Sequence, residues 1–440
     1  MIVIGILASR ADSASMTIAR ELLCVATGER PSGPLVDRYQ LDDAELVVVD
    51  ELHIDLESVD DRYTSSPAWI AVVSRHAGDT GPLLTAHFPG NIDRADYGGT
   101  PRMVPPACPR VLTAYLDAIS EEVPTGYEVG IECTHHGPTE TTTPILFVEV
   151  GSAEPQWGDR AAASAVATAL WSIRSVPAYG SRQLVGLGGG HYAPRFERII
   201  RDTSWDVGHI APDWGLEELT TPALEPVLRG LFEASRAEYC LIEGDHPALD
   251  AAVSTLGFRV VGERWLRATS QLSIEVVDAL SADLSPVDAG LVIGAATVDD
   301  PTEYRIIELS PSLLAECTVI DSERTVAAIE QVSVAYTLDA EGSTPTGELA
   351  IPADTSLETM LSTLDEVLAE KYDEVERTTD RIVLRRNVFD PAAANAIGIP
   401  EGPLFGRLAA GESIEFEGQL IDPADVTTER TVTYELPPHV

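Results

Sequence analysis

The stretch from Tyr127 to Val150, YEVGIECTHHGPTETTTPILFVEV, does most to limit what this chain can become. An alternating apolar run ends in Glu132, Cys133, Thr134, His135 and His136, the chain turns at Gly137-Pro138, and a second apolar run, Ile145 to Val150, returns to a core. Two strand-like pieces thus bracket a polar knot. In an α/β sheet the carboxyl ends of strands face the crevice where ligands bind, so the pattern predicts a site at a strand end. Adjacent histidines on a regular strand point to opposite faces. Both serve one site only if the strand has ended by His135, which Gly137-Pro138 favours. The bland alternative is a histidine pair that merely satisfies loop backbone.

The chain around this stretch alternates in the same manner. Ile2 to Ala8 reads as a buried strand, Ser13 to Val25 as an amphipathic helix capped by Ser13 or Asp12, and Leu46 to Val49 as a second strand. Trp69 to Ser74 is a strand leading to His76, and Leu83 to Phe88 carries His87 into Pro89-Gly90-Asn91. Helices are predicted over Arg110 to Ser120, Asp159 to Ile173 and Pro222 to Ala234. Gln183 to Leu187 runs as a short strand into Gly188-Gly189-Gly190-His191-Tyr192-Ala193-Pro194-Arg195. Strand, glycine turn and helix start in that order let backbone N–H groups approach an anion, although the lysine and hydroxyl of a P-loop are missing. Gly189, Gly190 and Arg195 are therefore expected to contact a phosphate or carboxylate. A strand from Tyr239 to Glu243 and an edge strand near Gly257 to Val261 complete an α/β region.

Seven of the nine histidines fall between His76 and His246, and only His439 lies beyond, which places the chemistry in the first 270 residues or so. From about Ser281 to the end the texture changes to Asp, Glu and Thr, with a helix predicted over Leu357 to Lys371 and a strand over Arg381 to Arg386. Residues 281–440 are expected to form a separate, acidic α+β domain. Five cysteines lie far apart without a CxxC pair, so neither a disulfide framework nor a thiolate zinc finger is indicated, and a reducing cytoplasm is expected. The start lacks the basic flank of a signal peptide, and no apolar run reaches membrane-spanning length.

Charge restricts the partner less than it first promises. Asp and Glu number 71 against 29 Lys and Arg, a formal net of −42, and Lys371 is the single lysine. Acidic surfaces repel nucleic acid, because phosphate binding draws on cations. Here, however, acid is spread along the whole chain while the hydrophobic fraction remains 44%. Such a balance suits a protein built for multimolar salt, where charge repulsion is screened within a few ångströms.

Five blocks in the first 270 residues together carry a resemblance. They are Ser74-Arg75-His76; Leu84-Thr85-Ala86-His87 leading to Pro89-Gly90-Asn91; Glu132 to Thr139; Gly188 to Arg195; and Gly208-His209-Ile210. In order and spacing they resemble the archaeal and plant-type D-aminoacyl-tRNA deacylase family. The resemblance implies an α/β fold with a mixed or mostly parallel sheet sandwiched by helices, similar to peptidyl-tRNA hydrolase and nucleoside phosphorylase folds. It also implies zinc-dependent hydrolysis of the ester in D-aminoacyl-tRNA. Residues 397–426 are similar to a segment of ribonuclease Z type proteins that helps shape a tRNA-end site, yet the chain lacks HxHxDH, so a strand-turn-strand element closing the domain is expected there.

Ester hydrolysis needs an activated water and a stabilised oxyanion, and zinc held by histidine and carboxylate could supply both. On this reading Glu132, His136 and His87 are the catalytic candidates and His135, His136 and His191 the ligands of one zinc ion or two. Thr134, Gly189, Gly190, Arg195 and His76 are candidates for substrate binding. His76, His87 and His209 could equally be ligands, acid/base groups or supporting partners, and His246 is read as structural. Cys133 with His135 as base is a weaker nucleophile, since Glu132 disfavours a thiolate. Arg75, Arg102, Arg110 and Arg195 are expected to hold the RNA 3′ end. The expected partner is D-aminoacyl-tRNA, bound by a monomer, with neither DNA nor membrane. A small-molecule hydrolase or phosphorylase-like enzyme, and a non-catalytic binder of tRNA ends, are the alternatives.

Overall fold

The computed structural model describes residues 3–437 except 220 and 340; His439 lies outside them. The chain divides into two compact units, one running to Ser270 and one from Gln271.

In the first unit, apolar runs pair into a seven-stranded mixed sheet. Its strands are β1 (Ile4–Ser9), β2 (Arg38–Gln40), β3 (Ala44–Val49), β4 (Ile70–Arg75), β5 (Leu83–His87), β6 (Glu128–Ile131) and β7 (Ile145–Gly151), in the order β2-β3-β1-β4-β7-β5-β6. Strands β3, β1, β4 and β7 run parallel, as continuous Val/Ile-rich runs buried on both faces should. Strand β5 is antiparallel to β7, and β6 is parallel to β5. The two runs flanking the polar knot are thus not sheet neighbours, because β5 lies between them.

Helices cover one face. Asp12 caps the helix Ser13–Thr27 by accepting from Ser15 N–H at 2.9 Å, and Gly28 ends it at φ 79°. The alanine-rich helix Arg160–Ser172, capped by Asp159, packs closely on it because its side chains are small. On the other face Leu7, Val47, Ile70, Val72, Ile145 and Phe147 gather against Leu56, Val59 and Tyr63. Each fully buried aliphatic side chain there contributes about 1.5–3 kcal/mol.

A second sheet in this unit is all parallel, with β8 (Gln183–Leu187), β9 (Asp206–Ala211), β10 (Tyr239–Ile242) and β11 (Arg259–Val260) in the order β11-β10-β8-β9. The helix Thr221–Ser235 packs on it through Leu228, Leu231 and Phe232.

The second unit is α+β and antiparallel. Leu291–Ile293, Ala335–Leu338, Pro345–Pro352 and Tyr304–Glu308 form one sheet, in that spatial order, and Glu374–Arg377, Arg381–Phe389 and Thr427–Glu435 form another. The helix Glu358–Ala369 supplies Leu361, Leu364 and Leu368 to their shared core. Between residues 397 and 426 the strand-turn-strand element is the short hairpin of Ile414–Phe416 and Gln419–Ile421, preceded by a helix, Pro403–Ala409, around a core of their own.

Candidate active site

The polar knot forms where the chain leaves the sheet. Strand β6 stops at Ile131, and the following residues are stitched to three other segments. Glu132 N–H donates to Ala86 C=O at 3.1 Å, Cys133 N–H to His191 C=O at 2.8 Å and Thr134 N–H to Ile210 C=O at 2.8 Å. His136 is forced to φ 48°, and its carbonyl accepts from Gly90 N–H at 2.7 Å. With the strand ended, both histidine rings share one site, their centroids 4.5 Å apart.

The remaining members arrive from neighbouring strands. His87, the last residue of β5, sits opposite Phe147 of β7 and stacks on both Phe147 and His135, at 5.2 and 4.2 Å between centroids. Glu149, two residues on from Phe147, shares its face of β7. His76 follows β4, and His191 follows the glycine turn. The cluster therefore lies on a sheet face where β5 and β6 run against β7, not along the carboxyl rim expected of an open parallel sheet. A cavity of about 280 Å³ opens over it, lined by His53, Arg75, His76, His135, Glu149 and His191 among others.

Three sets of donor atoms lie within 4.8 Å of one another: His87, His135 and His136; Cys133, His135 and His191; and His76, Glu132 and Glu149. The expected ligands His135, His136 and His191 are thus divided between two groups that share His135. His135 Nδ1 donates to Cys133 C=O at 2.9 Å and His136 Nδ1 to Gly137 C=O at 2.7 Å, which leaves each Nε2 with a lone pair. His136 Nε2 lies 3.2 Å from His87 Nε2, and His87 Nδ1 has no partner. Burial pulls the pKa of all three histidines down and keeps them neutral, as metal ligands must be.

Glu132 is 2% exposed. His191 Nε2 approaches its Oε2 at 2.8 Å, His135 Nε2 the same oxygen at 3.7 Å, and His76 Nδ1 its Oε1 at 3.3 Å. None of these is aligned as a hydrogen bond, so both buried carboxylate oxygens stay orphaned. Burial favours the neutral acid, but His191 and His76 overcome it and hold Glu132 well below the usual carboxylate range. His76 also lies 3.6 Å from Glu149. Burial opposes its protonation, yet the two carboxylates raise its pKa to about 11. Burial pushes Glu149 the other way, up to about 7, with Ser74 Oγ donating to it at 2.5 Å.

Several expected members stand elsewhere. Thr134 accepts from Ile210 N–H and donates to His209 Nδ1 at 3.0 Å, while His209 Nε2 donates to Pro105 C=O at 2.8 Å. Both are enclosed, and together they tie the polar knot to the strand Asp206–Ala211. In the glycine turn Gly189 has φ 84°, and a Cβ there would lie 2.5 Å from the Glu243 carboxylate. Gly190 follows it in the same turn. Arg195 donates to Ile242 C=O at 3.2 Å and faces Glu263 at 3.9 Å. Arg102 is held by Asp93 and Arg110 by Asp206; of the four expected arginines only Arg75 lines the cavity. His246 pairs with Asp213 at 3.3 Å at the start of the helix Pro247–Thr255. Burial and the neighbouring Glu132 drive the Cys133 thiol far up in pKa, which removes it as a ready nucleophile.

Three residues of the site were not singled out by sequence. Glu149 was hidden inside an apolar run, although a lone acid in a buried strand is itself a signal. His53 opens a single 3-10 turn, His53–Asp55, and is 3% exposed, 5.4 Å from Phe147 between centroids and 3.8 Å from Asp12. The Tyr192 hydroxyl meets His76 Nε2 at 3.0 Å.

Comparison with known proteins agrees on one family. A family model described as D-aminoacyl-tRNA deacylase matches residues 63–260. A curated D-aminoacyl-tRNA deacylase of Haloarcula marismortui is 42% identical, the match covering 98% of this chain and 100% of that one. One of Halobacterium salinarum is 43% identical over 99% and 96%, and one of Methanoregula boonei 31% over 84% and 85%. Among solved structures, the conserved protein of unknown function AF0625 is 28% identical with a TM-score of 0.54, covering 60% of this chain and 97% of its own.

Proposed function

The chain belongs to the D-aminoacyl-tRNA deacylase family, and on that premise we propose how its histidine cluster hydrolyses the ester of D-aminoacyl-tRNA to free D-amino acid and tRNA. The observation that carries the reading is the donor set itself. His87 is buried, His135 and His136 are half-buried, all three are neutral, and backbone carbonyls fix the Nδ1–H of the last two. This is the chemistry that zinc selects, and these three would hold it. When bound, the ion supplies Lewis acidity that acidifies a water and polarises the ester carbonyl.

The chain's own groups do the rest. Glu132, ionised and without an aligned donor on either oxygen, is the general base that takes the proton of the attacking water. His191 and His76 hold that carboxylate in place. His76, kept protonated between Glu132 and Glu149, donates through Nε2 to the Tyr192 hydroxyl, whose own proton is then free for the oxygen that gains charge. The positive charge of His76 already occupies the space between two carboxylates, which favours one metal ion over two.

The net charge of −42 and the relatives from Haloarcula and Halobacterium support work in concentrated salt. Five free cysteines support a reducing compartment, the cytoplasm. Among the described residues no helix is long and apolar enough to cross a membrane. A monomer is the simplest form, since the donor set is complete within residues 1–270 of one chain.

The test is hydrolysis of D-tyrosyl-tRNA beside L-tyrosyl-tRNA in multimolar KCl, with and without a chelator. Loss of the D ester alone, stopped by chelator and restored by zinc, is expected. A chelated, folded protein that works at full rate would sink the zinc step, and release from neither ester by folded protein would sink the whole reading.

A further inference from the structure

Among the described residues, three aromatic side chains are exposed: Tyr97, Tyr192 and Trp214, at 72, 38 and 51%. All three border the histidine cluster, although the chain has 26 Phe, Trp and Tyr residues in total (8 Phe, 6 Trp and 12 Tyr). Tyr192 is engaged with His76. Tyr97 and Trp214 instead line a second cavity of about 150 Å³, together with Arg94. His135, His136 and Tyr97 line both cavities, so the two are lobes that meet at the histidines.

The exposed rings stand on rigid supports. Tyr97 precedes Gly98, whose φ is 80° and where a Cβ would lie 2.0 Å from Ile54 C=O, so the loop is pressed onto its neighbour with no slack. Asn91 Nδ2 donates to Gly98 C=O at 2.9 Å, Thr100 N–H to Thr139 Oγ1 at 2.8 Å, and Tyr97 C=O accepts from Gly137 N–H at 3.0 Å. Beside Trp214, Asp213 N–H donates to Gly189 C=O at 3.0 Å, and Gly215 packs on Ile92. A loop braced at its base that still holds a large ring in solvent leaves hydrophobic surface uncovered, and this is arranged next to the reacting centre.

We infer that Tyr97 and Trp214 form a stacking subsite for the unpaired terminal purine of the tRNA, with the ester reaching across the boundary between the lobes to the histidines. This deepens the deacylase reading and rests on it. Single-stranded ends are held by aromatic faces, and such stacking needs no fixed base identity. It also suits a chain this poor in cations. The Arg94 guanidinium at the lobe is already shared with Asp93 and Glu218, at 3.8 and 3.1 Å. Phosphate contacts weaken steeply as salt rises, whereas ring stacking does not depend on unscreened charge.

The test compares steady-state hydrolysis of D-tyrosyl-tRNA by the full-length wild type, Tyr97→Ala, Trp214→Ala, Trp214→Phe and Trp214→Leu in multimolar KCl, with near-UV circular dichroism to confirm folding. The alanine variants should each raise KM about tenfold while kcat holds within about a factor of two, the scale of one stacked base. Trp214→Phe should recover most of the loss and Trp214→Leu little, because a flat ring rather than bulk is required. Wild-type KM in both alanine variants, or equal rescue by Leu and Phe, overturns the subsite and leaves the deacylase reading standing. If folded wild type does not cleave D-tyrosyl-tRNA at all, the deacylase reading fails and takes the subsite with it.

Discussion

His191 Nε2 lies 2.8 Å from Glu132 Oε2, although one residue follows a glycine turn of the second sheet and the other follows strand β6 of the first. The reciprocal backbone contacts, Cys133 N–H to His191 C=O and Ala193 N–H to Ile131 C=O, hold the two segments in register. The carboxylate is thereby fixed, buried and ionised.

Glu132→Gln should keep the shape and lose the base. The expected outcome is a fall in kcat on D-tyrosyl-tRNA of about 10²- to 10⁴-fold, the usual share of a general base, with an unchanged far-UV spectrum. A loss under tenfold would remove Glu132 from that role.

Histidines of the two environments should separate cleanly. His87→Ala and His135→Ala are expected to lose bound zinc, read by elemental analysis after dialysis, because each removes a donor from the same group. His209→Ala should retain the metal and lower stability by about 2–4 kcal/mol, since it empties a fully buried site and leaves the Thr134 hydroxyl proton without its acceptor and the Pro105 carbonyl without its donor.

Cys133→Ala should deacylate at close to the wild-type rate. The thiol is buried beside an ionised Glu132, its pKa is far above neutrality, and no thiolate forms to attack. A drop of a hundredfold in kcat would restore a nucleophilic cysteine.

Glu149 should give the chelated protein a pH-dependent stability. Its folded pKa, about 7, is above the ordinary 4.5, so the folded state binds the proton more tightly than the unfolded chain. That contribution is full below pH 4.5 and is lost as pH rises through 7. Glu149→Gln should flatten the part of the stability profile between those values, measured by denaturant titration in high salt. An unchanged slope would mean that another group titrates there.

How much of this could be read from the chain alone follows from particular residues. The parallel core strands were legible because Ile4–Ser9, Ile70–Arg75 and Ile145–Gly151 are nearly unbroken apolar runs. His135 and His136 stood out because Gly137-Pro138 shows that the strand has stopped. The direction of β5 was not legible: a five-residue run reads the same whichever way it enters the sheet, and that direction sets His87 opposite Phe147. The surroundings of the glycine turn were not legible, because a tight turn before a helix reads the same with or without a carboxylate such as that of Glu243 beside it. Glu149 escaped notice because its partner, His76, comes from a strand far earlier in the chain.

The placement of β5 between β6 and β7 has a consequence for how the protein matures. Residues 83–87 emerge well before residues 145–151, yet they must wait for that later strand to be inserted between them and β4. Until then His87 has no Phe147 beneath it, and His76 has no Glu149. The cluster is thus a late product of the sheet, assembled from segments that meet only when the strand Ile145–Gly151 lies between its two neighbours.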